Sequence, residues 1–332
     1  MKVNSVHVFY HNADPDGHAS GFLLKWAIDE GILNINRKRK DIILHSFNYG
    51  FDISWENINK NDVVFWADVS GTKEEMKLMH NKVNGNMYWI DHHDSILSEH
   101  SDLHEHCMGL RDFKKSACQN VLQFIMDNGR IDSYQDKILK NIKPFIDVIG
   151  YYDAWDKSVV QYNEDLWNKE YASVKFAFDA IQSNPNTDFG ISFWENVIEY
   201  AENDDISDLI SDMRLDGNYL LKYINNRNMQ LCKSYGFSAE FEGLNVFALN
   251  QGIGGSHVFN SINTAKYDAV MCFIKSGKNN LYSVSLYSDK EDVNLNAQLN
   301  HIGFKGHDKA GGFRCKEFNI LMIDNHKRII VK

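Results

Sequence analysis

The sequence predicts an α/β protein whose N-terminal part is built on a parallel sheet. Three strand-like apolar runs carry that prediction: Ser5 to Tyr10, Asp62 to Ala67 and Met87 to Ile90. Each run ends in a loop bearing Asp or His, and helical patterns lie between them. That alternation builds parallel strands and collects ligand chemistry at their carboxyl ends.

The chain has 332 residues, enough for two domains and ample core. Its 43% hydrophobic and 24% charged residues argue against disorder, and no apolar run reaches the length needed to span a bilayer. The start, MKVNSVHVFY, lacks the regions of a secretory signal, so a cytoplasmic location is expected. The five cysteines, Cys107, Cys118, Cys232, Cys272 and Cys315, are scattered without a Cys-x-x-Cys pair and are expected as thiols. A formal net charge of −10 argues against broad electrostatic gripping of long nucleic acid. An acid-rich metal centre contributes to such a charge, and bound cations would cancel it.

Taken in order, the first run leads into His11-Asn12-Ala13-Asp14-Pro15-Asp16-Gly17 and then a helix from His18 to Ile32, with Phe22, Leu23, Trp26 and Ala27 at helical spacing. Pro15 and Gly17 mark the loop. Asp14 or Asp16 could simply cap the helix, but one carboxylate suffices for a cap, and His11 with both acids fits a cation better. Arg37-Lys38-Arg39-Lys40 is expected as a solvated loop before a strand from Asp41 to Phe47. The second run ends in Asp68-Val69-Ser70-Gly71 before a helix from about Lys73 to Val83.

The third run ends in Asp91-His92-His93-Asp94. Adjacent imidazoles flanked by carboxylates are rarely needed for folding and are suited to binding metal and touching an anionic substrate. Asp94 is expected to cap a helix. His100, His104, His106 and Cys107 match no usual closed zinc site and are expected in a solvated connection. Helical patterns follow from Ser116 to Asn128 and from Ser133 to Ile149. The latter runs into Gly150-Tyr151-Tyr152-Asp153-Ala154-Trp155-Asp156, a fourth acid-bearing end in which Asp153 and Asp156 both remain candidates. Helical patterns continue from Lys157 to Glu240, with Glu202 to Asp216 expected as a solvated acidic face.

In that order, His11-x-x-Asp14-x-Asp16-Gly17, Asp68-x-Ser70, Asp91-His92-His93 and Asp153 near a Trp resemble the four motifs of the DHH phosphoesterase superfamily. The first motif is most similar to those of RecJ-like and short-oligonucleotide phosphoesterases; an alternative alignment pairs Asp16 with His18. Gly306-His307-Asp308-Lys309-Ala310-Gly311-Gly312-Phe313 resembles the signature of the DHH-associated C-terminal domain. The resemblance covers both ends of the chain and leaves its middle unexplained. It implies a catalytic domain over 1–156, a helical linker region over 157–240 and a smaller α/β substrate-binding domain over 241–332, with the substrate between the domains.

The resemblance further implies two Mn2+ ions, with Mg2+ as the alternative. His11, Asp14 and Asp68 would hold one ion, and Asp16, Asp68, His92 and Asp153 the other. Asp68 bridges. Asp91 would orient the neighbouring histidine and His93 would face the phosphate as donor or acid. Ser116, Gly306, His307, Gly311 and Gly312 are the expected substrate contacts, the glycines by letting backbone N–H groups approach a phosphate. Two departures stand out: Tyr287 lies near where relatives often carry Arg, and Gly303-Phe304-Lys305-Gly306 replaces a run of glycines. Lys305, Lys309 and Arg314 are candidate substitutes.

The implied activity is hydrolysis of short oligonucleotides or of linear or cyclic dinucleotides by metal-activated water. A RecJ-like single-strand exonuclease is the alternative, although it would normally want a basic channel and aromatic platforms. A non-catalytic nucleotide-binding module is the reading from a different class. Neither long duplex nucleic acid nor membrane is an expected partner, and a homodimer is left open.

Overall fold

A computed structural model describes residues 5–35, 41–48, 56–93, 103, 106–252, 255–306, 308–324 and 327–331. The expectations for Arg37 to Lys40, Asp94, His100, His104 and His307 lie outside the described residues. The chain divides into two compact units, Met1–Leu221 and Lys222–Lys332.

In the first unit β1 (Val6–His11), β2 (Ile42–Phe47), β3 (Val63–Ala67) and β4 (Met87–Ile90) form a sheet in the order β2-β1-β3-β4. Every pairing is parallel. Tyr10 lies opposite Ala67, and Ala67 opposite Ile90, so the chain leaves the sheet at His11, Asp68 and Asp91 along one edge. This alignment makes three distant sequence motifs neighbours.

Both sheet faces are covered, which is why the strands read as nearly continuous apolar runs. Val8, Phe65, Ala67 and Ile90 face a core shared with α1 (Pro15–Asp29), α3 (Ala117–Asn128) and α4 (Ser133–Asp153). The alternate residues Phe9, Val64, Trp66 and Trp89 face a second core with Met76 and Met79 of α2 (Lys73–Lys82). The period of two follows from the strand pleat.

Helix α4 runs one turn beyond the expected end at Ile149, so Asp153 is its last residue rather than part of a loop. Gly150 does not stop it. A Cβ there would lie 2.5 Å from Gln119 Cδ and 2.6 Å from Ser116 Oγ, so glycine serves the close approach of α3 and α4. Val174 and Phe178 of Ser173–Ala180, Trp194 of Asp188–Glu202 and Met213 of the long helix Ile206–Tyr235 join the same core as α1 and α4. The stretch expected as a linker therefore contributes structure to the first unit.

The second unit is built on an eight-stranded mixed sheet. Its strands are β5 (Phe237–Phe241), β6 (Leu244–Asn250), β7 (Ala269–Lys275), β8 (Tyr282–Tyr287), β9 (Lys305–Gly306), β10 (Ala310–Cys315), β11 (Ile320–Asp324) and β12 (Lys327–Val331). They lie in the order β12-β11-β5-β6-β7-β8-β10-β9, with β6 and β7 parallel. Phe241, Met271, Leu286 and Phe318 belong to its core. Among the described residues no helix is long and apolar enough to cross a membrane. The five cysteines are free thiols.

Candidate metal centre

The first motif is assembled by a helix start. Asp14 is the N-cap of α1: its Oδ1 accepts the Gly17 N–H at 2.9 Å, while Oδ2 lies 2.7 Å from His11 Nδ1. Capping and the approach to His11 are thus made by different oxygens of one side chain. Pro15 fits the first turn because its missing N–H would have had no helical partner. At Gly17 a Cβ would lie 2.1 Å from the His11 carbonyl oxygen, so only glycine permits this turn.

Asp16 points the other way, into the protein. It accepts the N–H groups of Ala117 at 2.9 Å and Cys118 at 2.8 Å, fixing the start of α3 to the first motif. The positive end of the helix favours a carboxylate there. Ser116, the N-cap of α3, shares a reciprocal capping box with Gln119 and is fully buried. There its hydroxyl serves the helix terminus and is buried.

Asp68 links the motifs. It follows β3 in a left-handed conformation with φ 61°, and its N–H donates to the Ile90 carbonyl at 3.1 Å. Its Oδ2 is 3.5 Å from His11 Nδ1, whereas Oδ1 is 3.4 Å from His92 Nε2 and 4.0 Å from His93 Nδ1. On the far side, His92 Nε2 is 3.2 Å from Asp153 Oδ2 and 3.9 Å from Asp16 Oδ2. Asp156, the rival fourth-motif acid, instead caps Lys157–Val160 by accepting the Ser158 N–H at 3.1 Å.

Asp91 is fully buried behind the histidines. Its Oδ1 accepts the His92 N–H at 2.7 Å and the His93 N–H at 3.2 Å, and lies 2.8 Å from His93 Nδ1; Oδ2 accepts from Trp89 Nε1 at 3.1 Å. Burial would raise the Asp91 pKa, but the hydrogen bond and charge of His93, with help from His92, hold it below the usual value. An ionised Asp91 fixes the proton of His93 on Nδ1 or pairs with the imidazolium.

The electrostatics call for positive charge. Burial alone would lower the pKa values of His11 and His92. Asp14 and Asp68 outweigh that effect at His11, raising it to about 11, and Asp68, Asp16 and Asp153 raise His92 to about 10. Burial, and then the charge of Asp68, push Asp16 up to about 6; burial followed by the charge of Asp16 raises Asp153 well above the carboxylate range. Carboxylates crowded in this way resist common ionisation unless cations accompany them.

The donors fit such cations. Three groups each bring their ligand atoms within 4.8 Å of one another: His11, Asp14 and Asp68; Asp16, His92 and Asp153; and Asp68, His92 and His93. His92 Nε2 is buried and satisfies hydrogen-bond geometry with none of its carboxylate neighbours. Adjacent ligands on an octahedral ion with bonds of about 2.1 Å lie roughly 3 Å apart. At His92 the spacings of 3.2 and 3.4 Å approach that value. Carboxylate and imidazole donors without thiolate suit Mn2+, Mg2+ or Zn2+.

The glycine motif belongs to the second unit. Gly311 pairs with Gly306 on one side and Leu286 on the other, and Gly312 is likewise flanked by Lys305 and Ser285. Their backbones lie in strands rather than in an open loop, Gly306 on the edge strand β9. A Cβ would meet backbone oxygen at 2.5 Å from Gly306, 2.4 Å from Gly311 and 2.4 Å from Gly312. Close strand approach therefore demands all three. Lys309 Nζ donates to the carbonyls of Lys290, Glu291 and Val293, clipping a turn. Lys305 and Arg314 are exposed.

Residues distant in sequence buttress the first motif. The Tyr10 hydroxyl donates to Asn184 Oδ1 at 2.5 Å, and the Asn184 amide donates to Asn12. His18 Nδ1 is 2.9 Å from Ser183 Oγ, so His18 joins this network rather than the metal groups. Asn120 donates to the Asp91 carbonyl at 3.2 Å and to that of Asp112 at 2.9 Å. These contacts have no local spacing signal because the partners are remote in sequence.

No protein-family model and no curated protein matches the chain. Solved structures do. The DHH domain of a protein described as a member of a family of ribosomal proteins aligns with TM-score 0.55 and 13% identity over 93% of this chain and 82% of its own. An exopolyphosphatase-related protein from Bacteroides fragilis aligns with TM-score 0.51 and 14% identity over 95% of this chain and 88% of its own. A pGpG-specific phosphodiesterase from Vibrio cholerae reaches TM-score 0.49 and 12% identity over 94% and 93% of the two chains. The fold and the site together define an α/β protein with a His- and Asp-lined centre at the carboxyl edge of a parallel sheet. Its fold is that of DHH-domain proteins, in agreement with the motif resemblance.

Proposed function

We propose that this chain is a metal-dependent phosphodiesterase acting on short oligonucleotides or on linear or cyclic dinucleotides, with Mn2+ as its metal. The observation that carries the reading is Asp68 set between His11 and His92, at 3.5 and 3.4 Å, with a further acid beside each histidine. His11, Asp14 and Asp68 would hold one cation, and Asp16, Asp68, His92 and Asp153 a second. Such a pair would lower the pKa of water and neutralise charge developing on a phosphate.

The chain's own groups then divide the work. Asp91 fixes His93 through Nδ1, leaving Nε2 to face the phosphate. Burial would lower the His93 pKa, but the bond to Asp91 and its charge raise it, which favours the imidazolium whose Nε2 proton could go to a phosphate or leaving-group oxygen. Asp16 ties the centre to α3 while turning Oδ2 toward His92. The acidic balance of the chain favours a short substrate over a long strand gripped through many phosphates.

A hydrolysis panel with added Mn2+ tests this reading. It compares linear and cyclic dinucleotides, short RNA and DNA oligomers, a long single strand, a nucleoside bisphosphate and pyrophosphate, with Asp68→Ala and His92→Ala as controls. Fastest turnover of a short phosphodiester, lost in both variants, is expected. Preference for the long strand would favour the exonuclease, and metal-dependent nucleotide binding without turnover would contradict an enzyme.

A further inference from the structure

We propose that Trp155 is a stacking platform for a nucleobase of the substrate, beside the metal centre; this rests on the phosphodiesterase reading and adds a recognition element to it. The proposal begins with how α4 ends. Beyond Asp153, the Trp155 N–H donates to the Tyr152 carbonyl at 3.1 Å and the Asp156 N–H to the Tyr151 carbonyl at 2.9 Å. Those paired bonds define a Schellman ending, whose left-handed position usually belongs to glycine. Here Trp155 occupies it with φ 53°. A bulky side chain in that conformation costs about 1–2 kcal/mol, and the strain is a reason to ask what the ring does.

The ring is not placed to fill the core. Trp155 is 54% exposed. Tyr152 and Trp167 meet it edge-to-face at centroid distances of 5.7 and 5.6 Å. Such contacts fix the plane of an indole without covering it as a parallel stack would. Lys157 Nζ lies 4.6 Å from the ring centroid and pairs with Glu164 at 2.7 Å. The ammonium covers one face of the oriented indole and is paired with Glu164, so what the ring offers a base is its other π face.

Its position relates it to the chemistry. Tyr152, the ring partner of Trp155, lines a small cleft of about 50 Å3 together with Asp14, Asp16 and Asp153. Val174 and Phe178 give the cleft an apolar wall. Trp155 follows the ligand Asp153 by two residues, so their Cα atoms are at most about 7 Å apart. A nucleotide whose phosphate meets the metal ligands can therefore extend its base toward this aromatic edge. Stacking is tolerant of base identity, so the platform would favour nucleotides without selecting one base.

The test compares hydrolysis of a dinucleotide with that of an abasic dimer having the same phosphodiester, in the Mn2+-loaded protein. Trp155→Asn tolerates a left-handed backbone but removes the ring, whereas Trp155→Phe retains a smaller ring. The preference for dinucleotide over abasic dimer, expressed as a ratio of kcat/KM, should fall about 5- to 150-fold in the Asn variant and less in the Phe variant. An unchanged preference in both overturns the platform while leaving the phosphodiesterase reading intact. Titration with AMP supplies a readout independent of turnover: it should quench indole fluorescence in the wild type, with that component absent from Trp155→Phe. If neither dimer is hydrolysed but this quench is present, the platform stands and the catalytic reading fails; identical quench in wild type and Phe variant overturns the platform.

Discussion

Asp16 accepts the backbone N–H of Cys118 at 2.8 Å, a bond between residues 102 positions apart. It makes one carboxylate both a candidate ligand and the anchor for α3. Asp16→Asn retains an oxygen for one helix N–H but turns an amide donor toward the other. In the metal-free protein the lost helix acceptor is offset by relief of a buried, crowded charge, so stability should change little, while Mn2+ binding should weaken by more than about tenfold. Urea unfolding without metal and Mn2+ titration report the two effects separately.

The two acids near the end of α4 should behave differently. Asp153 lies 3.2 Å from His92 Nε2, while Asp156 caps an exposed turn. Asp153→Asn should reduce hydrolysis by about 100-fold or more through loss of a metal ligand. Asp156→Ala should cost about 1 kcal/mol of stability at most and retain stoichiometric metal binding. Parallel rate and thermal-unfolding measurements check the contrast.

Asp91 satisfies Trp89, His92 and His93 from a fully buried position. Asp91→Ala leaves those donors without their acceptor and should cost about 2–4 kcal/mol. Equilibrium urea unfolding measures the loss. A destabilisation below about 1 kcal/mol would mean that the residue is not the anchor its contacts describe.

A pH effect is expected away from the metal centre. His45 Nε2 is 2.9 Å from His7 Nδ1, and burial followed by the charge of His7 pushes the His45 pKa down to about 4. The folded state therefore takes up its proton later than the unfolded chain, whose reference value is 6.5. Stability from neutral His45 is present above pH 6.5 and is lost as pH falls through about 4. His45→Gln preserves a polar partner but removes the titration, so it should lose less stability than the wild type across this window. Denaturant melts at several pH values test the difference.

The parallel sheet and its motif order were legible because each apolar strand runs directly into a chemical loop. The end of α4 was less clear, since Gly150 resembles a stop until its close approach to Ser116 and Gln119 is seen. The burial of Ser116 is not legible in the sequence because its neighbours, a helix terminus and Gly150, do not announce burial by composition. The Asn184 and His18 contacts had no periodic signal. Conversely, Asp14 was read as cap or ligand when its two oxygens allow both placements.

Isothermal titration of metal-free protein with Mn2+ tests the central claim most directly. Two ions per chain are predicted in the wild type, with Asp68→Ala removing the high-affinity pair because Asp68 faces both His11 and His92. Failure to bind Mn2+, or binding of the same two ions with unchanged affinity in Asp68→Ala, would contradict the bridged metal centre.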